Sequence, residues 1–204
     1  MKEKMLYFLN EPSAKQAYFD AIEMCARLAS YSTALCLLKI GYGDYLERAD
    51  ELAHRDIIYL ALSLRRLSEV IKNTELLKAM KVSAQPNITW ETQSDFARNT
   101  TKQNDVWSLI GKIIHCREFL IIRDNLTLNR YHQHGSKKVA ESKLTTEEEI
   151  SFTESAKDLP AICLVKSDKK NVVLFGISDF VAVAVDYLDQ AKDLLEDEGV
   201  LSYS

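Results

Sequence analysis

Ile177, Val181, Ala184, Leu188, Ala191 and Leu195 recur at alternating steps of four and three. That rhythm lays one apolar stripe along an α-helix, and a stripe of this length needs a partner to bury it. Ser178 is the expected N-cap of this helix and Gly199 its stop. Two earlier stretches carry the same signature. After Pro12 and a capping Ser13, the residues Ala14, Tyr18, Ala21, Cys25, Leu28, Ser32 and Leu35 form one stripe, ending at the Gly41-Tyr42-Gly43 breaker. A second helix beginning near Asp44 carries Ile57, Leu60, Leu64, Leu67 and Ile71, and the two are expected to pair as an antiparallel hairpin. His54 falls in a polar part of that helix and reads as a solvated surface residue.

Between these stretches the pattern is less regular. Val82 to Asn99 reads as a loop, with Pro86, Asn87 and scattered Ser and Thr, and with Trp90 and Phe96 as anchors. A further helix is expected over Lys102 to Arg123, its stripe formed by Leu109, Ile113, Cys116 and Leu120. Residues 135–160 are polar, highly charged and poor in large apolar side chains, which marks an exposed insertion. Within it Thr145 and Glu148 have capping-box spacing, consistent with a short surface helix. The runs AICLVKS and NVVLFG, separated by DKKN, read as a β-hairpin that must lean on the helices or a partner, since two strands alone are marginal. The expected fold is therefore mainly α: an antiparallel four-helix up-down bundle in one domain. Residues 1–134 hold the first three helices, 135–160 the insertion, and 161–204 the small hairpin and the fourth helix.

Composition narrows the class of function. A chain of 204 residues with 47% hydrophobic and 27% charged residues is long enough to bury a core and is not disordered throughout. No run of ~18 apolar residues spans a bilayer, and Asn10, Glu11 and Pro12 interrupt the short apolar start, unlike a signal peptide. A cytoplasmic protein with no membrane contact is expected. Cys25, Cys36, Cys116 and Cys163 form no CxxC pair and read as reduced core thiols.

Charge is distributed unevenly. From Lys112 to Lys143 there are seven Lys or Arg against three Asp or Glu, so this span carries +4 while the whole chain carries -4, leaving -8 for the remainder. The same span holds His115, His132 and His134. A basic island in an acidic molecule is a candidate site for an anion. Arg123 continues the apolar stripe of the third helix, where a guanidinium needs an anionic partner. That partner is either a ligand or a carboxylate such as Asp124 or Glu118. Arg117 lies on the neighbouring stripe, close enough to share an anion with Arg123.

Three chemistries compete at the island. His132 and His134 offer two metal ligands where zinc wants three or four, so no metal or other cofactor is expected. Cys116 and His115 point about 100° apart on a helix, which rules against a nucleophile and base pair. Metal-independent RNA cleavage fits the residue types best. A histidine takes the proton of a 2′-hydroxyl or protonates the leaving oxygen, while an arginine holds the scissile phosphate. Asn125 or Asn129 could add a hydrogen bond, and Tyr131 could stack on a base.

Four helices, with an arginine followed by a polar residue at the end of the third and a histidine shortly after, make the chain resemble HEPN domains, including those of abortive-infection and toxin-antitoxin systems. Arg123-Asp124 is similar to the first half of the family motif and His132 to the second, at a wider spacing than the family's own. The resemblance implies an intracellular ribonuclease whose site forms across a homodimer. Arg123 would clamp the phosphate and His132 would be the acid or base, with Arg130 and His134 as auxiliaries. Two other readings stay open: a non-catalytic binding or regulatory subunit of a larger assembly with a protein partner, and a module that binds a small anion or nucleotide at the island.

Overall fold

The structure is a computed structural model, and it describes residues 2–34, 43–83, 103–122, 161–166 and 172–201. Helix α1 covers Lys2–Ala34 and α2 covers Gly43–Val70. They form an antiparallel pair: contacts descend α2 as they climb α1, from Ser13 with Arg66, through Arg27 with Asp56, to Tyr31 with Asp50. The stripes expected from the sequence are the faces that meet. Ala14, Tyr18, Ala21, Cys25 and Leu28 are buried on α1, and Ile57, Leu60, Leu64 and Leu67 on α2.

The start of α1 differs from expectation. The helix runs through Pro12, and Ser13 does not cap it. Proline costs one backbone hydrogen bond and strains the turn before it, but it does not forbid continuation. The Ser13 hydroxyl accepts a hydrogen bond from Arg66 Nε at 2.9 Å, so it ties the two helices together.

After α2 the chain turns through Lys72, at φ 55°, into the short helix α3, Thr74–Ala79. Strand β1, Lys81–Ser83, then pairs antiparallel with β2, Gln103–Asp105. Helix α4, Val106–Ile114, follows at once. Its N-cap is Asp105, whose carboxylate accepts from the Ser108 N–H at 2.8 Å, which satisfies one of the otherwise orphaned donors of the first turn.

Here lies the main correction to the sequence reading. The third helix does not run from Lys102 to Arg123: it ends at Ile114, and Glu118–Ile122 form strand β3. Leu109 and Ile113 lie on the helical stripe as expected, whereas Leu120 belongs to the strand. A short apolar run fits both the helical and the strand period, so spacing alone could not decide between them.

Strand β3 pairs with β4, Ile162–Lys166, which pairs with β5, Val172–Gly176, giving an antiparallel sheet in the order β3-β4-β5. The anticipated hairpin is β4-β5, and β3 is the element it leans on. Register sorts the side chains into rows. Phe119, Val165 and Val173 align, as do Ile121, Cys163 and Phe175, and these six belong to the main core with the helices. The alternate row, Leu120, Leu164 and Leu174, points the other way, yet Leu164 and Leu174 are also buried. Burial on both faces explains why these strands read as continuous apolar runs and not as an alternating pattern.

Helix α5, Ile177–Asp197, leaves the sheet directly after β5. All six residues of its stripe are buried. Its N-cap is Gly176, not Ser178, which is exposed in the first turn. Its end is as read: Gly199 adopts φ 75°, with the Val200 N–H donating to the Leu195 carbonyl and the Gly199 N–H to that of Glu196. This six-to-one and five-to-two pattern is a Schellman motif, which satisfies carbonyls that the helix end leaves open. Helix α5 packs against α1, and the sheet sits against α2 and α5, so the described chain is mainly helical with a small antiparallel sheet. No helix among the described residues is long and apolar enough to cross a membrane.

Candidate functional site

The basic island starts at Lys112 in α4 and continues through β3. Arg117, the one proposed anion-binding residue within the described chain, precedes the strand and is exposed. Its backbone N–H donates to the Lys166 carbonyl at 3.0 Å, which opens the β3-β4 ladder. The expected place of Arg117 on a helical stripe next to that of Arg123 is therefore absent, because the backbone has already left the helix at Ile114. Glu118, considered as a carboxylate partner for Arg123, is paired across the ladder with Lys166 at 2.9 Å. Arg123, Asn125, Asn129, Arg130, Tyr131, His132 and His134 lie outside the described residues, as do Trp90, Phe96, Cys36 and the insertion at 135–160.

The register fixes where the island leaves and rejoins the fold. Ile122 is paired with Ile162, so residues 123–161 begin and end on adjacent strands, roughly 5 Å apart. The part of the island from Arg123 on thus follows a strand of the sheet. The sequence pattern alone puts it at a helix end.

Two histidines are described near its foot. His115 is the exposed C-cap of α4. His54 is not the solvated residue expected from its polar neighbours: it stacks on Phe119 with ring centroids 4.3 Å apart and planes at 16°. Partial burial lowers its pKa from the ordinary imidazole value. The sequence hid this contact because Phe119 was assigned to a helix. Burial raises the pKa of all three described thiols, pushing Cys25 up to about 12, Cys163 well above its ordinary value and Cys116 less far. These groups are protonated at neutral pH and are poor nucleophiles.

A second feature was missed by the sequence reading altogether. Between α1 and α2 lies an open groove of about 700 Å³, lined by Arg27, Tyr31, Leu52, Arg55 and Asp56 among others. The Asp56 side chain is only 8% exposed, and its Oδ1 faces Arg27 Nη1 and Arg55 Nε, each at 3.5 Å. Arg27 also meets Glu23 at 3.1 Å, one turn earlier on α1. Tyr31 hydrogen-bonds Asp50 beside it. The only hint in the sequence was an aspartate at position 56 next to the apolar stripe residue Ile57.

Burial elsewhere tunes one further charge. Lys112 donates to Asn104 Oδ1 at 3.1 Å and has a lowered pKa, chiefly from desolvation, with Asp105 opposing. Among the described residues no group of three or more His, Cys, Asp or Glu is disposed to hold a metal ion. Comparison with protein-family models, with curated proteins and with solved structures finds no match to this chain.

Proposed function

We propose that the protein is a metal-independent endoribonuclease that acts at its basic island, as the resemblance to HEPN domains implies. Arg123 holds the scissile phosphate and offsets the charge that builds on it. His132 removes the 2′-hydroxyl proton, and His134 or His132 protonates the departing 5′-oxygen. The products are a 2′,3′-cyclic phosphate and a 5′-hydroxyl end. Arg117, Asn129, Arg130 and Tyr131 extend the RNA contact, and a homodimer supplies the second Arg/His set. The setting is intracellular, as a defence or toxin component.

The observation that carries the reading is the concentration of positive charge in the first part of one excursion, residues 123–143. Residues 123–143 hold five Lys or Arg against two Asp or Glu, a stretch of +3 in a chain of -4, and they follow the last strand residue Ile122, whose partner is Ile162, with Arg117 exposed just before that strand. Phosphate contacts are drawn to such a local positive field even on an acidic protein.

A second reading, a helical binding subunit without catalysis, is favoured by the α1-α2 groove, which lies on different elements from the island. The two are separated by incubating mixed RNA with the protein in chelator and scoring cyclic-phosphate ends for wild type, Arg123→Ala and His132→Ala. Cleavage lost in both variants supports the ribonuclease. Intact RNA with the wild type refutes it, and a stable hetero-complex in pull-down then supports the binding subunit.

A further inference from the structure

The α1-α2 groove brings two guanidinium groups onto a single carboxylate oxygen. Arg27 Nη1 and Arg55 Nε each stand 3.5 Å from Asp56 Oδ1, so these nitrogens are at most twice 3.5 Å, or 7.0 Å, apart. Charge-assisted bonds of this kind run at about 2.7–2.9 Å when satisfied. Both contacts are well outside that range, so the carboxylate gathers the two cations without saturating either.

The carboxylate is 8% exposed, while the Arg27 and Arg55 side chains are 48% and 50% exposed. Each guanidinium therefore keeps donor edges open to solvent. Two phosphate oxygens about 2.5 Å apart, each accepting a bond of about 2.8 Å, bridge nitrogens up to about 8 Å apart. The pair is thus within the span of one phosphate group. Next to it Leu28, Ala49, Leu52 and Ala53 make an apolar wall.

We infer that this groove is a binding site for an organic phosphate, with the phosphate across Arg27 and Arg55 and the apolar body against Leu52 and its neighbouring alanines. Asp56 is a positioning residue that holds the two like charges together before the ligand arrives. Glu23 is the competitor. Its pair with Arg27 joins two exposed groups four residues apart, a weak contact in water, so it yields to a dianion. The inference is independent of the ribonuclease reading, because it uses residues of α1 and α2 alone and is read by binding.

The test is calorimetric titration of the full chain with phenyl phosphate and with inorganic phosphate, at ionic strength matched with sodium chloride. Phenyl phosphate is expected to bind saturably and more tightly than inorganic phosphate. Arg55→Gln should weaken it at least tenfold, and Glu23→Gln should tighten it. Both substitutions are at exposed side chains, so folding is retained, and circular dichroism checks it. A purely structural tie between the helices predicts no tightening in Glu23→Gln. Absence of saturable binding to the wild type, or equal affinity in Arg55→Gln, overturns the inference.

Discussion

Gly111 and Gly199 offer a paired test of the backbone that owes nothing to side-chain contacts. A Cβ added at either position meets no atom within 4 Å, so Gly→Ala at each acts through conformation alone. Gly111 lies inside α4, where alanine is favoured over glycine by about 0.5–1 kcal/mol. Gly111→Ala should therefore stabilise by that amount. Gly199 sits at φ 75°, where an L-residue costs about 1–2 kcal/mol, of which the stiffer unfolded chain returns about 0.4–1 kcal/mol. Gly199→Ala should cost about 0.5–1 kcal/mol. For a chain of this size 1 kcal/mol moves the melting midpoint by about 2–4 °C, so the two variants should melt roughly 2–8 °C apart on opposite sides of the parent. Thermal and urea unfolding followed by far-ultraviolet circular dichroism measure this. Shifts of the same sign, or a Gly199→Ala protein as stable as the parent, would show that the α4 assignment or the Schellman ending is wrong.

The remaining predictions concern the core and its titrating groups. His54 has a lowered pKa in the fold because burial disfavours its charged form. The unfolded chain therefore takes up the proton first, and stability should fall as pH drops through the ordinary value of 6.5, with no effect from this group above it. His54→Phe, which keeps a ring against Phe119, should remove that component when urea midpoints at neutral and mildly acidic pH are compared. Phe175 is fully buried and meets Phe180 edge to face at 5.5 Å, so Phe175→Ala should cost about 3–5 kcal/mol in urea unfolding. Phe175→Leu should recover much of this. Cys25 and Cys163 should resist iodoacetamide in the folded protein and react after denaturation, as peptide mass mapping would record. Rapid labelling of Cys163 in the native state would contradict its burial between the sheet and the helices.

The long helices were legible because each has one buried face and enough turns for a 3.6-residue period to declare itself. The stripe of α5, that of α1 from Ala14 to Leu28 and that of α2 from Ile57 to Leu67 are core residues. Ser32 and Leu35 lie outside the side chains described, Ile71 is partly buried just past α2, and Gly199 is the stop of α5. The region from Ile113 to Ile122 was not legible, because its apolar residues satisfy both a helix stripe and a strand that is apolar on both faces. What decides is the partner: Phe119 and Ile121 align with Val165 and Cys163, more than forty positions later, and no local pattern carries that pairing. The same error concealed the His54 stack and carried Arg123 to a helix end. The Arg27-Asp56-Arg55 cluster was invisible for a related reason. It depends on the relative offset of two helices, whereas each residue taken singly looks like part of a solvated charged face.

The pairing of Ile122 with Ile162 also orders the assembly of the sheet. Strands β4 and β5 are joined by residues 167–171, a closure among the easiest a chain can make, whereas β3 must wait for a span some eight times longer. By the logarithmic growth of closure entropy this adds about 2 kcal/mol to the cost of bringing its ends together. Strand β3 is therefore expected to dock late, onto a hairpin already formed. The charged excursion would acquire its anchorage only in the closing stage of folding, after the helices have met.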